Sequence, residues 1–563
     1  MREYPNIITD LEKWPIARFY DDRQRVVRQL SQSTQAFLNG PGQSRNLQTT
    51  LRETIYSEKL RAKSNPLKVD PPKEYAYWKK MEADLGRAMQ DDAGARATLD
   101  ILGRTVNRYS EEIAGNFNVK TFRFARKALS MLFGSLYKPF FANGKAFWGD
   151  RESLLDRFEV VGPLDHIRGL FDKGTVMILP THFSNLDSIL IGYGIEMMTG
   201  MPAFSYGAGL NLYDYELMAY YMSRLGAYKI DRRKKNPVYA ETLRQFSILS
   251  IHEGLNSIFF PGGTRSRSGA IEDRVKLGLM NTLIDSQNDF YMRGQDRKII
   301  AIPLVISYNF VLEASSLIEQ HLRKTGKASY LNSTRKSKVR NKTFKFINRL
   351  FKSQSGVTLS FGQPMDVMGH LLDEEGNSIK GGRTIDIKGY FTSSGLLTKD
   401  VQRNRVYSRL FGNAITSSFR RENVVLVSHL VPFVAFEMFR KGYPNLDLFA
   451  VLNLPKDYCE IPVTKLYEQI DIVREKILRL ERQGKIKAND EVRSMSSPDL
   501  VKSALSHLSA YHFRAPLIIH KEMVRSEDLK LLYYYRNRLE GYNLNESILT
   551  DRVTALRLTA PVF

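Results

Sequence analysis

The sequence predicts an α/β fold, a largely parallel sheet covered by helices, with helical regions before and after it. Between about residues 158 and 372, short runs of apolar and β-branched residues alternate with helical stretches. Strands that alternate with helices of about 10–20 residues form parallel sheets with helices on both faces. Residues 1–157 and 396–563 are helical in period instead. The chain therefore divides into an N-terminal helical region, an α/β domain and a C-terminal helical domain.

Six strands are predicted in the α/β domain. They are Thr175–Pro180, Pro202–Gly207, Ala227–Ile230, Asn256–Pro261, Ile299–Tyr308 and Gly356–Gly362. Ligands of such sheets bind beyond the carboxyl ends of the strands. We therefore expect residues with chemical roles directly after these segments.

Two flanking segments are apolar at helical spacing. Val119–Phe141 mixes basic residues with Phe, Leu and Met and contains no acid, which fits either a membrane-surface helix or a helix packed on the next domain. Asn423–Phe439 is the most apolar run, but His429, Pro432 and Glu437 interrupt it. It falls short of the about 20 apolar residues that cross a bilayer, so it predicts one or two buried helices.

Composition limits the class of protein. A content of 43% hydrophobic and 25% charged residues excludes general disorder. The 83 Lys and Arg against 60 Asp and Glu give a formal charge of +23, which favours phosphate, nucleic acid or an acidic membrane as partner. The single cysteine, Cys459, excludes an intrachain disulfide framework and fits a reducing compartment. Because the first residues lack a secretory-signal layout, we expect the chain to stay in the cytoplasm.

A histidine and an aspartate follow the first of the six strands. His182 lies in the turn after Thr175–Pro180, and Ser184 and Asp187 match the S/T-x-x-D/E pattern that caps a helix. Capping explains Ser184 and Asp187 but leaves His182 without a role. The alternative is a general base whose second ring nitrogen is held by a carboxylate, which would take a proton from a substrate alcohol. No G-x-S-x-G motif suggests an enzyme serine instead.

A second polar loop, Phe259–Gly269, follows another strand. Its glycines let the backbone approach a ligand, and its hydroxyl and guanidinium groups can bind phosphate oxygens. The candidate residues are Gly263, Thr264, Arg265, Ser266 and Arg267. Arg232 and Arg233, after the strand Ala227–Ile230, could close on the same anion. A solvated arginine loop is the alternative explanation.

Four blocks, in order along the chain, resemble those of the glycerolipid acyltransferases. "HFSNLD" is similar to their H-x-x-x-x-D signature, "GAYKIDRR" to G-x-x-x-I-R-R, "FPGGTRSRSG" to F-x-E-G-x-R-S-R-x-G, and "IPLVISYNFVLE" to I-P-V-x-I-x-Y-x-x-x-x-E. The resemblance spans about Thr175 to Pro364. The appended helical C-terminal part resembles the glycerol-3-phosphate and dihydroxyacetone-phosphate acyltransferases within that superfamily.

The resemblance implies a role for each matching residue. His182 would be the general base and Asp187 its orienting partner, while Arg265 and Arg267, with Arg232 or Arg233, would hold the acceptor phosphate. Neither a metal nor a bound cofactor is implied.

One position departs from the family pattern. Gly262 stands where these blocks have glutamate, a carboxylate that belongs to the acceptor end of the site. If the protein is active, we expect another side chain or water to replace that carboxylate. We also expect Gly262→Glu to be tolerated and to improve the use of glycerol 3-phosphate, unless a φ above zero makes glutamate strained.

A basic segment follows the fourth block. No acidic residue occurs between Glu319 and Asp366, and Val339–Lys352 interleaves cations with apolar residues. The residues proposed for a membrane surface are Arg335, Lys338, Lys342, Lys345, Phe346 and Arg349. A helix on anionic lipid fits this pattern; a solvated face and a nucleic-acid surface are the alternatives.

These observations together predict a peripheral enzyme on the cytoplasmic face of a membrane. It would transfer a fatty acyl group from acyl-CoA or acyl carrier protein to the 1-hydroxyl of glycerol 3-phosphate. A dihydroxyacetone-phosphate or lysophosphatidate acyltransferase is an alternative with the same chemistry. A catalytically impaired lipid- or nucleic-acid-binding protein on the same fold is an alternative of another class, against which the intact His182 and Asp187 argue.

Overall fold

The computed structural model describes residues 4–40, 46–90, 94–125, 158–185, 187–210, 220, 222–326, 356–509, 512 and 514–548. Most of Val119–Phe141 and all of 327–355 lie outside these ranges. The predictions made for both segments therefore stay predictions.

The described N-terminal region is helical, as predicted. Its helices are α1 (Pro15–Phe19), α2 (Arg23–Leu38), α3 (Leu47–Ser64), α4 (Glu74–Ala88) and α5 (Gly94–Ile113). Trp78 and Tyr109 are fully buried here, and the ring of Tyr109 packs edge to face on Tyr239 of the α/β domain at 5.2 Å. The N-terminal helices and one flank of the sheet thus share a single hydrophobic core.

A seven-stranded sheet forms the centre of the molecule. Its strands and the helices between them are β1 (Phe158–Val161), α6 (Leu164–Gly169), β2 (Gly174–Pro180), α7 (Asp187–Thr199), β3 (Ser205–Gly209), β4 (Ala227–Ile230), α8 (Pro237–His252), β5 (Ser257–Ile258), α9 (Leu277–Met292), β6 (Lys298–Tyr308), α10 (Ala314–Thr325) and β7 (Val357–Phe361). The strand order is β1-β7-β6-β2-β5-β3-β4. This arrangement confirms the predicted α/β class.

All neighbouring strands of the sheet run parallel except β6 and β7, which pair antiparallel with Leu304 opposite Phe361. The six predicted strands all occur, although β3 begins three residues later than predicted and β5 shrinks to two residues. The sequence prediction missed β1, a four-residue edge strand. Glu159 lies in its middle and accepts a hydrogen bond from Thr358, so β1 lacks the continuous apolar run that marks a buried strand.

The C-terminal part begins with short strands and continues with helices. Its elements are β8 (Leu371–Leu372), β9 (Ser378–Lys380), β10 (Arg383–Ile385), β11 (Thr392–Ser393), β12 (Leu396–Leu397), α11 (Val401–Arg421), β13 (Val424–Val425), α12 (Val427–Gly442), α13 (Leu448–Leu452), β14 (Glu460–Pro462), α14 (Val463–Arg482), β15 (Lys487–Ala488), α15 (Asp490–Ser494), α16 (Ser497–Ser509), β16 (Ile518–His520), β17 (Met523–Arg525) and α17 (Leu529–Arg536). Helix α12 contains Pro432 and corresponds to the buried helix predicted within Asn423–Phe439.

The C-terminal helices share one hydrophobic core with the sheet, since buried residues of α12, α14 and α17 are continuous with those of β2 and β6. Directly after α17 the chain returns to the sheet, where Arg538 donates to the carbonyl of Ile306 in β6 at 2.8 Å. Within the described ranges, no helix is both long and apolar enough to span a membrane.

Candidate active site

The carboxyl ends of the parallel strands bring the predicted residues to one edge of the sheet. His182 follows β2 by two residues, Arg232 follows β4, and the Phe259–Gly269 loop follows β5. The hydroxyl of Tyr308, the last residue of β6, reaches the same place. These side chains are far apart in sequence, and they meet because parallel strands end on one side.

His182 and Asp187 form a hydrogen-bonded pair. The Nδ1 of His182 lies 2.7 Å from Oδ2 of Asp187, and the carboxylate is completely buried. The imidazole stacks on the ring of Phe260 with centroids 4.1 Å apart. A carboxylate at Nδ1 makes that nitrogen the protonated one and leaves Nε2 as the proton acceptor. Nε2 has no hydrogen-bond partner in the described part of the chain.

Asp187 also caps the turn, so the two explanations of the sequence pattern hold together. Its Oδ2 accepts the backbone N–H groups of Phe183 at 2.7 Å and Ser184 at 3.0 Å. The hydroxyl of Tyr308 donates to Oδ1 at 2.5 Å. The carboxylate thus accepts four hydrogen bonds, which satisfies a buried charge and fixes the aspartate that orients His182.

Glu313 joins the histidine turn to the arginine loop. Its Oε2 accepts the hydroxyl of Ser184 at 3.0 Å, and its Oε1 accepts the backbone N–H of Asn185 at 3.1 Å. Arg265 donates to the same Oε1 at 3.1 Å. The Ser184 hydroxyl therefore contacts Glu313, and Arg265 lies beside the turn that carries His182.

Three arginines make one cationic region. Desolvation lowers the pKa of Arg232, and the charges of Arg265 and Arg267 lower it further, although much of Arg232 is exposed. Arg265 and Arg267 therefore lie within electrostatic range of Arg232. An anion bound here would relieve their mutual repulsion.

Arg233 does not join this region. Its guanidinium donates to Asp231 at 2.9 Å and 2.7 Å, and to Asp70 at 2.6 Å and 3.0 Å. The side chain is thus part of an ion-pair network that ties the segment after α3 to β4. Of the two arginines proposed from the sequence, only Arg232 remains available for a phosphate.

The Phe259–Gly269 loop is built by hydrogen bonds that use part of its polar groups. The N–H of Ser266 donates to the carbonyl of His182 at 2.7 Å, and its hydroxyl donates to the carbonyl of Ala270 at 2.7 Å. Ser266 therefore holds the loop against the histidine turn. Gly263 adopts a φ of +71° in a turn closed on Phe260, and Thr264 lies half-buried beside it.

Two side chains that the sequence did not indicate pack against Gly262 and Gly263. A Cβ at residue 262 would lie 3.0 Å from Oε1 of Glu272, and a Cβ at residue 263 would lie 2.7 Å from Cδ of Lys276. The double glycine makes room for these side chains. Lys276 thus places a cation beside Gly263.

Arg538, which follows α17, is the residue of the site that lies furthest from His182 along the sequence. It is buried against the ring of Phe183 at 4.2 Å and donates to the carbonyl of Ile306 at 2.8 Å and to Asn423 at 2.8 Å. Burial lowers its pKa to about 10. No local sequence signal could have found it, because it lies more than 300 residues from the histidine. Tyr308 and Glu313, by contrast, lie within the fourth block noted above.

The six residues proposed for a membrane surface lie outside the described ranges. Among the described residues, no group of three or more His, Cys, Asp or Glu side chains is placed to hold a metal ion.

Comparison with known proteins adds the following. Residues 157–307 match the family model described as Acyltransferase. A protein of Aeromonas hydrophila named glycerol-3-phosphate acyltransferase is 24% identical over 290 residues, covering 51% of this chain and 32% of that protein. A protein of the same name from Baumannia cicadellinicola is 26% identical over 461 residues, covering 79% of this chain and 46% of the relative. One from Shewanella sp. (strain ANA-3) is 25% identical over 348 residues, covering 61% and 38%. The chain thus spans less than half the length of these relatives.

Proposed function

We propose that this chain, which belongs to the glycerolipid acyltransferase family, transfers a fatty acyl group from a thioester donor to the 1-hydroxyl of glycerol 3-phosphate. The observation that carries the proposal is the His182–Asp187 pair beside the cationic region of Arg232, Arg265 and Arg267. The name printed for the relatives supports glycerol 3-phosphate as the acceptor. The product would be lysophosphatidate.

In this proposal His182 is the general base. With Nδ1–H held by Asp187 at 2.7 Å, Nε2 of His182 takes the proton of the acceptor hydroxyl as the oxygen attacks the thioester carbonyl. The tetrahedral intermediate collapses and breaks the C–S bond. The leaving thiolate then receives the proton from the imidazolium, so the histidine returns to its starting state. Asp187 stabilises the imidazolium while it exists.

The cationic region binds the other end of the acceptor. Phosphate and guanidinium form paired, charge-assisted hydrogen bonds, and a bound phosphate would offset the repulsion of Arg232 by Arg265 and Arg267. Glu313 links Arg265 to the turn after His182. We therefore place the acceptor phosphate at these cations and the acceptor hydroxyl at Nε2 of His182.

We further propose that the protein works at an anionic membrane surface. The support is the sequence of 327–352, which is basic and free of acids, and the chemistry of a substrate and product that carry acyl chains. Each exposed cation near such a surface contributes about 1 kcal/mol.

The test is acyl transfer by the purified full-length chain. Acyl-CoA and acyl carrier protein thioesters should each be tried with glycerol 3-phosphate, dihydroxyacetone phosphate and lysophosphatidate. We expect glycerol 3-phosphate to give the highest kcat/KM with at least one donor, and Asp187→Asn to reduce that rate. A preference for another acceptor would overturn the substrate assignment, and no transfer to any acceptor would overturn the activity.

A further inference from the structure

A carboxylate occupies the space beside Gly262 although position 262 itself has no side chain. It belongs to Glu272, ten residues further along the loop. A Cβ on residue 262 would lie 3.0 Å from its Oε1 and 3.1 Å from its Cγ. A side chain at 262 and the present side chain of Glu272 therefore compete for the same volume.

The loop's hydrogen bonds bring Glu272 back to this point. The N–H of Lys276 donates to the carbonyl of Pro261 at 2.8 Å, which closes the segment between them. Ser266 fastens the middle of the segment to the carbonyl of His182. The chain thus leaves the sheet after β5, folds over the histidine turn and returns to its own start before α9 begins.

Glu272 contacts the turn that carries His182. Its Oε1 accepts the backbone N–H of His182 at 3.1 Å. Its Oε2 is buried and has no hydrogen-bond partner within the described residues. Burial raises the pKa of the carboxyl group to about 7, the nearby Arg538 lowers it, and Asp187 raises it.

A purely structural role explains this arrangement poorly. A buried carboxyl group with one unpaired oxygen costs about 1–3 kcal/mol relative to a satisfied or apolar group. The hydrogen bond that Oε1 accepts at 3.1 Å comes from the main chain of His182. The adjacent Asp273 is exposed. An acidic side chain in this part of the chain can therefore stay in solvent, and the inward position of Glu272 needs another explanation.

We propose that Glu272 is the positioning residue for His182, and that it supplies from position 272 the carboxylate that the acyltransferase block has at position 262. Holding the His182 N–H fixes the main chain from which the imidazole extends, at the point where β2 ends. The inference rests on the proposed function for its catalytic readout, but not for the geometry. It also explains why Gly262 is glycine: a longer side chain there would displace the carboxylate.

This placement changes the expectation for Gly262→Glu. Gly262 is not among the glycines with positive φ, so backbone strain is no obstacle to glutamate. The obstacle is Glu272, whose carboxyl group already lies 3.0 Å from the new Cβ. We now expect Gly262→Glu alone to impair the enzyme, and the same change to be accepted once Glu272 is shortened.

The experiment compares Glu272→Ala, Glu272→Gln and the double variant Gly262→Glu/Glu272→Ala with wild type, all as full-length protein. Glu272→Ala should lower kcat for glycerol 3-phosphate by roughly 10- to 100-fold, the effect of a displaced catalytic group, with little change in KM. Glu272→Gln keeps an oxygen acceptor and should stay within a few-fold of wild type. The double variant should recover most of the lost kcat. Asp273→Ala is the matched control and should behave as wild type.

A second readout does not depend on activity. In protein labelled with [15N]histidine, which has nine histidines, the amide signal of His182 is assigned by its loss in His182→Ala. Its proton should shift upfield in Glu272→Ala and return in the double variant. Glu272→Gln should leave it nearly in place, which keeps the test open if Glu272→Ala does not fold.

The outcomes separate the two proposals. An unchanged amide shift in folded Glu272→Ala, or a double variant as slow as the single one, overturns the positioning role. A wild type that transfers no acyl group while showing the expected amide shifts overturns the proposed function and leaves the role of Glu272 in place.

Discussion

The hydroxyl of Tyr308 donates a 2.5 Å hydrogen bond to Oδ1 of Asp187. This contact leaves Oδ2 to His182 and to two backbone N–H groups. Tyr308 ends β6 and Asp187 begins α7. The bond therefore joins β6, the neighbour of β2 in the sheet, to α7, the helix that follows β2 in the chain. Tyr308 therefore helps to fix the carboxylate that holds His182 from a position more than 100 residues away.

Tyr308→Phe should weaken the orientation of His182 without removing the base. The change leaves Oδ1 of a buried carboxylate with no partner, and a lost bond of about 1.4 kcal/mol corresponds to about tenfold in rate. We expect kcat to fall by up to about tenfold and thermal stability to fall too. Tyr206→Phe, on β3, is the matched control, because Tyr206 is buried and has no hydrogen-bond partner within the described residues. Equal rates for Tyr308→Phe and wild type would show that this contact has no part in catalysis.

Arg267→Ala should raise the KM for glycerol 3-phosphate and leave the KM for the acyl donor almost unchanged. The loss of one charge-assisted bond of about 1.5–3 kcal/mol corresponds to roughly 10- to 100-fold in acceptor binding. Arg267 is a cleaner test than Arg265, because Arg265 also holds Glu313. Arg274→Ala, an exposed change in the same loop, is the control in steady-state assays. A selective effect on the donor would mean that the loop binds the other substrate.

Arg233→Ala should act on stability rather than on the acceptor. Its partners Asp70 and Asp231 are nearly buried, and both would lose Arg233, although Asp70 would keep Arg61 at 3.1 Å. Removing one member of a buried ion pair costs about 3–5 kcal/mol, so we expect a lower melting temperature and an unchanged KM for glycerol 3-phosphate in the protein that remains folded. A raised KM with an unchanged melting temperature would return Arg233 to the phosphate site.

Glu272 should make the protein less stable as pH rises. Its pKa is raised from 4.5 to about 7 in the folded chain, so the folded state holds a proton that the unfolded state has released. The stability from this group is present below about pH 4.5 and is lost as pH rises through about 7, an effect of at most about 3 kcal/mol. Denaturant unfolding of wild type and Glu272→Gln between pH 4.5 and 8 should diverge, with the glutamine variant gaining relative stability. Parallel curves would place the carboxyl group in water.

Membrane attachment should be electrostatic. The basic segment 327–352 predicts binding to anionic vesicles that weakens from 0.1 M to 1 M salt, since the Debye length falls from about 10 Å to about 3 Å. Replacing Arg335, Lys338, Lys342 and Lys345 by glutamine should reduce co-sedimentation with anionic vesicles and leave the melting temperature unchanged. Equal binding to neutral and anionic vesicles would rule out this mode of attachment.

The pattern of the sequence was enough to place the main strands and the pair His182 and Asp187. Strands such as β2 and β6 are buried along nearly their whole length, and such strands are apolar throughout, which is a local signal. Strand β1 was not predicted from the sequence, because the strand is short and contains a glutamate. The antiparallel pairing of β7 was invisible as well, because strand direction depends on which elements pack together and not on composition.

The site was predictable where its residues follow strands and unpredictable where distant chain segments return to it. Arg265 and Arg267 come directly after β5, so their position followed from the sheet. The separation of Arg232 from Arg233 did not, because it depends on Asp70 in the N-terminal region. Glu272 and Arg538 reach the site through loop closure and packing. Neither process produces a regular residue spacing that a sequence pattern could reveal.

The sharpest test of His182 as the general base is the turnover rate of His182→Ala on glycerol 3-phosphate. It is measured beside wild type and beside His520→Ala, a variant of a histidine away from the site. A general base contributes about two to four orders of magnitude, and His182 has no structural bond through its ring except the one to Asp187 within the described residues. We expect His182→Ala to lose about 100-fold to 10,000-fold in kcat with an intact thermal transition, and His520→Ala to keep wild-type rates. A folded His182→Ala enzyme that turns over at a near-normal rate would contradict this role.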